Sequence, residues 1–179
     1  MLRIFLFFSL FLFSSGAFSQ VQIPSVEQDE IVYQQKFDQL EGRYKVLIIM
    51  NRHCPCTKAH YQHLNTLSEK NPQFSFYGIH SLKNDSMGEV RKFYEENKII
   101  FPVINDAKLI WANALKAVKT PHVFVLDDQN NILYSGGVTN SRNPNRADHF
   151  YLKEVLEDIS QGKTLRYKTS RTLGCAIIR

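Results

Sequence analysis

Lys45 leads into Val46-Leu47-Ile48-Ile49-Met50, an apolar run with no polar break on either face. It constrains the fold more than any other stretch. A strand half-exposed to water alternates apolar with polar, whereas a continuous run rich in branched residues reads as a strand covered on both faces. Cys54-Pro55-Cys56 stands just beyond it. Residues 57–70 then carry Ala59, His60, Leu64 and Leu67 on one helical face, closed by Asn71-Pro72. A doubly covered strand feeding a helix is the first half of a βα unit.

The rest of the chain continues the alternation. Residues 74–79 read as a second strand and 86–97 as a helix with Val90, Phe93 and Tyr94 inward. Residues 99–103 give a short extended piece and 108–116 a short helix, in which Trp111 joins Leu109 and Leu115 as core. His122-Val123-Phe124-Val125-Leu126 is a strong strand, and Ile132-Leu133-Tyr134-Ser135 returns as its hairpin partner. The last helix covers 149–161, with Leu152, Val155, Leu156 and Ile159 at helical spacing and Gly162 ending it. A lead-in strand is expected near residues 31–37. The order β-α-β-α-α-β-β-α predicts an α/β domain with a central mixed sheet flanked by helices, mainly parallel and with an antiparallel hairpin at its edge.

The chain has 179 residues, room for one domain with a full core. Its beginning reads differently from the rest. Arg3 precedes an apolar stretch from Ile4 to Phe13, and Ala17-Phe18-Ser19 offers small residues where a signal peptidase cuts. That stretch falls short of the ~20 residues needed to span a bilayer. The division expected is a signal peptide over 1–19, a lead-in over 20–44, the domain over 45–162, and a tail over 163–179 packed on it. The processed chain is expected in the periplasm or secreted, with no integral membrane segment. Losing Arg3 leaves 21 Lys+Arg against 17 Asp+Glu, a formal +4. These charges are interspersed, without the basic block or aromatic-basic stripe that nucleic-acid binding uses. Asp127-Asp128, Glu95-Glu96 and Glu157-Asp158 read as solvated charge on turns and polar helix faces.

Three cysteines remain, Cys54, Cys56 and Cys175. An odd number in an exported chain leaves one thiol over from any static disulfide, which favours exchange chemistry. Cys54 falls at the N-terminus of the helix that follows the buried strand. The helix dipole and unpaired N–H groups there favour an anion, so they lower a thiol's pKa and supply the attacking thiolate. Arg52, His53 and Lys58 add positive potential if they point back, and His53 is the candidate thiolate stabiliser. The reading requires Cys54 to be reachable by other molecules. One residue between Cys54 and Cys56 makes any disulfide between them a very small ring, strained and therefore oxidising. Cys56 is the expected resolving thiol, with Cys175 a possible second.

Asn51-Arg52-His53-Cys54-Pro55 resembles the Asn-His-Cys-Pro element of redoxin, or peroxiredoxin-like, proteins, the alkyl hydroperoxide reductase/thiol-specific antioxidant group of the thioredoxin-like superfamily. Lys119-Thr120-Pro121-His122-Val123-Phe124-Val125-Leu126-Asp127 is similar to that group's Thr-Pro strand. Gly136-Gly137-Val138-Thr139-Asn140-Ser141 resembles its post-hairpin loop, and Gly174-Cys175-Ala176-Ile177 its closing Gly-Cys-x-Ile tail. The resemblance implies a thioredoxin-like fold, no cofactor, and thiol or disulfide partners, protein or small-molecule. It also implies a cis peptide at Thr120-Pro121 facing the redox cysteine, where a substrate backbone would lie. Asn51 stands where a peroxidatic site of the group has a threonine, and Cys56 has no counterpart in the group's usual pattern.

Thiol–disulfide oxidoreduction is thus the leading expectation. Two alternatives stay open on the same residues. One is a thiol peroxidase. The other is copper handling of the Sco type, with Cys54, Cys56 and His60 as ligands, His63 one turn on, and His122 or His149 as more distant donors.

Overall fold

The strand predicted over 45–50 lies at the middle of the sheet. The computed structural model describes residue 22, the backbone of 31–33, and residues 40–179. The signal peptide expected over 1–19 and most of the lead-in lie outside the described residues. Strand β2 (Tyr44–Met50) is buried from Lys45 onward. Its period of two sends Val46, Ile48 and Met50 into one apolar cluster and Leu47 and Ile49 into another, one on each face of the sheet.

The remaining strands are β1 (Ile31–Tyr33), β3 (Phe74–His80), β4 (Val103–Asn105), β5 (Lys119–Thr120), β6 (His122–Leu126), β7 (Ile132–Gly136) and β8 (Cys175–Ala176). The helices are α1 (Pro55–Lys70), α2 (Met87–Glu96), α3 (Ile110–Ala114) and α4 (Tyr151–Ser160). Six strands form one sheet in the order β1-β4-β3-β2-β6-β7, and β5 pairs with β8 beside it. The sheet is mixed, as expected, and the antiparallel share reaches beyond the edge hairpin. Only β2, β3 and β4 run parallel, while β6 lies antiparallel to β2, β7 to β6, and β1 to β4. The extended piece expected over 99–103 is displaced to β4. Gly78 beside it lets Met50, Phe101 and Val103 close in, since a Cβ there would meet Met50 Cε at 2.3 Å.

Helices α1, α2 and α4 cover the face of Val46, Ile48 and Met50 through Tyr61, Leu64, Val90, Tyr94, Leu152, Val155 and Leu156. The opposite face is covered by α3 through Trp111 and Ala112, with Ile177 from the tail packed against it. Trp111 is core, as its neighbours suggested. Helix α1 starts two residues earlier than expected, because proline is tolerated at the first helical position. Its buried face is Thr57, His60, Tyr61, Leu64 and Leu67, whereas Ala59 points out to solvent. The larger side chains set the phase of that helix.

Two acidic pairs do more than face solvent. Asp127 accepts from the backbone N–H of Gln129 (3.0 Å) and Asn131 (2.8 Å) and shapes the β6–β7 turn. Asp158 is buried and takes the backbone N–H (2.9 Å) and the guanidinium (3.0 Å) of Arg166. That pair turns the chain after α4 back toward the sheet. Ser135 then receives it, its N–H donating to Lys168 O at 3.0 Å. Among the described residues, no helix is long and apolar enough to cross a membrane.

Candidate active site

The turn between β2 and α1 is built from its own residues. The backbone N–H of His53 donates to Asn51 Oδ1 at 2.8 Å, and that of Cys54 to Asn51 O at 3.0 Å. Asn51 is thereby committed to holding the turn, an Asx motif that sequence reading had passed over. Cys54 is the N-cap of α1, with Pro55 following it, and it occupies the position where a Ser or Asp oxygen ordinarily meets the first free N–H groups.

Two other elements close on its sulfur. The Thr120–Pro121 peptide is cis, as expected, and Cys54 Sγ donates to Thr120 O at 3.0 Å. Strand β8 lies antiparallel on β5 with Cys175 opposite Thr120. The sulfurs of Cys54, Cys56 and Cys175 all lie within 4.8 Å of one another. Gly174 makes this approach possible, since a Cβ on it would sit 1.9 Å from Thr120 O. Beyond Cys175, Ile177 N–H donates to Val118 O at 3.1 Å, and the Arg179 guanidinium bonds Asn113 Oδ1 and Ala117 O. An apolar-ended tail that the sequence left irregular is a strand laid over the site.

Placement separates the three thiols chemically. Burial pushes the Cys54 thiol up, but hydrogen bonds from Cys175, from the Thr120 and Thr57 hydroxyls and from the Thr57 backbone outweigh it and bring the pKa down to about 7. Among the described residues the buried hydroxyl oxygens of Thr57 and Thr120 have no other partner, so ionisation of Cys54 gives both a use. The Thr120 carbonyl pulls the other way, because it can only accept from S–H. Cys56 is raised by burial and then by its charged neighbour Cys54, with Arg142 opposing. Cys175 is pushed up to about 12, by burial first and then by Cys54 and Cys56. At neutral pH one thiolate therefore sits beside two thiols that can donate to it.

The sequence's other candidates fall in different places. Arg52 turns away, with Nε 2.7 Å from Asp85 Oδ2 and Nη2 2.7 Å from Glu89 Oε2. Asp85 also meets His80 Nε2 at 2.8 Å, and His80 Nδ1 accepts from the Tyr94 hydroxyl at 2.9 Å. This buried chain ties the site's turn to α2. Lys58 lies over the Phe93 ring, 5.1 Å from its centroid. His53 is exposed at the rim. His60 is buried, its Nδ1–H donating to Cys56 O at 2.7 Å and its Nε2 lying 3.1 Å from Thr139 Oγ1. His122 Nε2 is 3.1 Å from Ser135 Oγ, and His149 stacks on Tyr151. Thr57 and Arg142 were not anticipated. A threonine two residues into a helix is legible as a possible donor, but a loop arginine brought in from eighty-odd positions away carries no local signal.

The expectation that Cys54 is openly reachable also changes. Its side chain is 1% exposed, while Cys56 and Cys175 are partly open. Its covering is the cis-proline loop and the tail, with hydroxyl and thiol groups against the sulfur rather than an aliphatic core.

A mixed sheet, a cysteine capping the helix after a central strand, and a cis Thr-Pro against its sulfur define a thioredoxin-like α/β domain with a thiol centre. Solved structures share this fold. An uncharacterized conserved protein from Geobacillus kaustophilus matches with a TM-score of 0.77 at 22% identity, over 92% of this chain and 94% of that one. A hypothetical protein from Sinorhizobium meliloti 1021 gives 0.68 at 19%, over 76% and 79%. StoA from Bacillus subtilis gives 0.52 at 17%, over 59% and 84%. At these identities the likeness is one of fold. Residues 17–151 match the family model described as Redoxin, and the chain belongs to that family. No curated protein matches it in sequence.

Proposed function

We propose that this chain is a thiol–disulfide oxidoreductase of the periplasm or the secreted space, with Cys54 as nucleophile. The observation that carries the reading is one thiol with a pKa near 7 held within 4.8 Å of two protonated thiols. In the reductive direction, the tail that covers Cys54 lifts away, and the exposed thiolate attacks a disulfide, forms a mixed disulfide and releases one substrate thiol. Cys56 then loses its proton and attacks Cys54 Sγ, expelling the second substrate thiol. Two electrons pass to the substrate, and the protein is left with a Cys54–Cys56 disulfide. The reverse sequence oxidises a dithiol. Cys175 is the second resolving thiol, its sulfur also within 4.8 Å and its residue paired opposite Thr120. His53 at the rim is the remaining candidate for stabilising the thiolate.

Redox titration against glutathione, with mass mapping of the three cysteines, tests this. The expected result is a two-electron transition that joins Cys54 to Cys56 or Cys175, and loss of insulin reduction in Cys54→Ser by at least about a thousand-fold. A titration in which Cys54 never enters a disulfide overturns the reading. Rapid sulfenic acid formation at Cys54 with peroxide turnover, and no disulfide transfer, replaces it with the peroxidase.

A further inference from the structure

We propose that Cys54, Cys56 and Cys175 together form a three-thiolate site for Cu(I). The geometry comes from two separate parts of the chain. The N-cap of helix α1 and its first turn supply two sulfurs, and β8 brings the third across 119 positions from Cys56 by pairing with β5. All three sulfurs lie within 4.8 Å of one another. Thiolates about 2.3 Å from a common ion stand roughly 4 Å apart. Small rotations about the three Cα–Cβ bonds therefore bring this cluster to a ligand set.

Donor type and number select the ion. Thiolate sulfur is soft and favours Cu(I) or Zn²⁺ over harder cations. Zinc completes a tetrahedron, and among the described residues no fourth Cys, His, Asp or Glu joins the three sulfurs. The nearest histidine on α1, His60, has both ring nitrogens engaged, by Cys56 O and Thr139 Oγ1. A d¹⁰ monovalent ion is content with three sulfurs in a plane. Binding is not a redox step. Cu(I) keeps its charge, the sulfurs give up their remaining protons to solvent, and three metal–sulfur bonds form. The resulting negative charge faces the N-terminal end of α1 and lies near Arg142. A disulfide uses two of the thiols and a metal uses all three, so oxidation of the cluster and Cu(I) occupancy exclude each other.

The site does not depend on the oxidoreductase reading, and its failure is separately visible. The reduced protein is titrated anaerobically with Cu(I) against the chromophoric chelator bathocuproine disulfonate. Alkylation mapping then shows which cysteines the metal protects. One Cu(I) per chain, three protected cysteines and a sulfur-only coordination shell by X-ray absorption are expected. Cys175→Ser should weaken Cu(I) retention by more than the ~10–100-fold that loss of an outer-shell partner costs. His60→Gln should leave the coordination shell all sulfur. Protection of Cys54 and Cys56 alone, nitrogen in the shell, or full retention by Cys175→Ser each overturns the proposal. The protection pattern is read on the unaltered chain, so the test survives a variant that misfolds. Glutathione titration on the metal-free protein keeps the redox reading separate.

Discussion

At the scale of single residues, Cys54 shows how position converts an ordinary side chain into a reagent. A thiol of normal pKa is mostly protonated at pH 7, whereas this one is balanced near half-ionised. Its alkylation rate with iodoacetamide should rise with a midpoint near pH 7, while Cys175 responds only in strong alkali, given its value of about 12. Thr57 is the residue to remove. Thr57→Val keeps shape and deletes one hydroxyl donor, so the Cys54 midpoint should move upward with the fold intact by circular dichroism. An unmoved midpoint would show that the helix terminus and Cys175 hold the thiolate without Thr57. Legibility at this scale is uneven. Cys54 was readable because its strand, turn and Pro55 are contiguous, and the cis Thr120-Pro121 was implied by the family resemblance. The stabilising potential assigned to Arg52 and Lys58 was not, since Asp85, Glu89 and Phe93 claim those side chains from distant elements.

At the scale of elements, the pairing of β8 with β5 decides access. Gly174 has no room for a side chain against Thr120 O. Gly174→Ala should therefore lift Cys175 and the strand end away from the cis-proline loop. Cys54, now 1% exposed, should react faster with a bulky maleimide, and cross-linking of Cys54 to Cys175 by mild oxidant should fall. Unchanged rates in both assays would mean that the tail does not cover the sulfur in solution. Every strand expected from residue 74 onward lies within a few residues of its place, and β3, β4 and the β6–β7 hairpin run as expected, but β6 runs antiparallel to β2. A hydrophobic run reports burial, not which neighbour lies on each side, so the antiparallel seat of β6 against β2 had no signature. The last two-residue strand was invisible for the same reason: its partner is another two-residue strand, and neither has length for a periodic pattern.

At the scale of the whole molecule, buried histidines couple stability to pH. Burial pushes His63, His80 and His122 down to about 4 and also lowers His60. The unfolded chain takes up protons near 6.5, so the folded state disfavours them. These groups contribute stability fully above about pH 6.5, and it is lost as pH falls toward 4, on the order of a few kcal/mol for the set. Asp85 adds a later stage. Burial raises it, the Arg52 and His80 bonds outweigh that, and its value of about 2 means its contribution disappears only as pH falls from about 4 to 2. Thermal melts should show Tm declining in the first window before ordinary carboxylates titrate. His122→Gln should flatten that decline, and a flat Tm between pH 6.5 and 4 contradicts the assignment. By itself the sequence determined the α/β class, the doubly covered β2, and a thiol at the head of α1, because each is written in neighbouring residues. Only the tertiary structure decided that Cys175 completes the cluster and that the nucleophile lies under the chain's own tail. Those facts depend on contacts between segments more than a hundred positions apart, and local propensity carries no record of them.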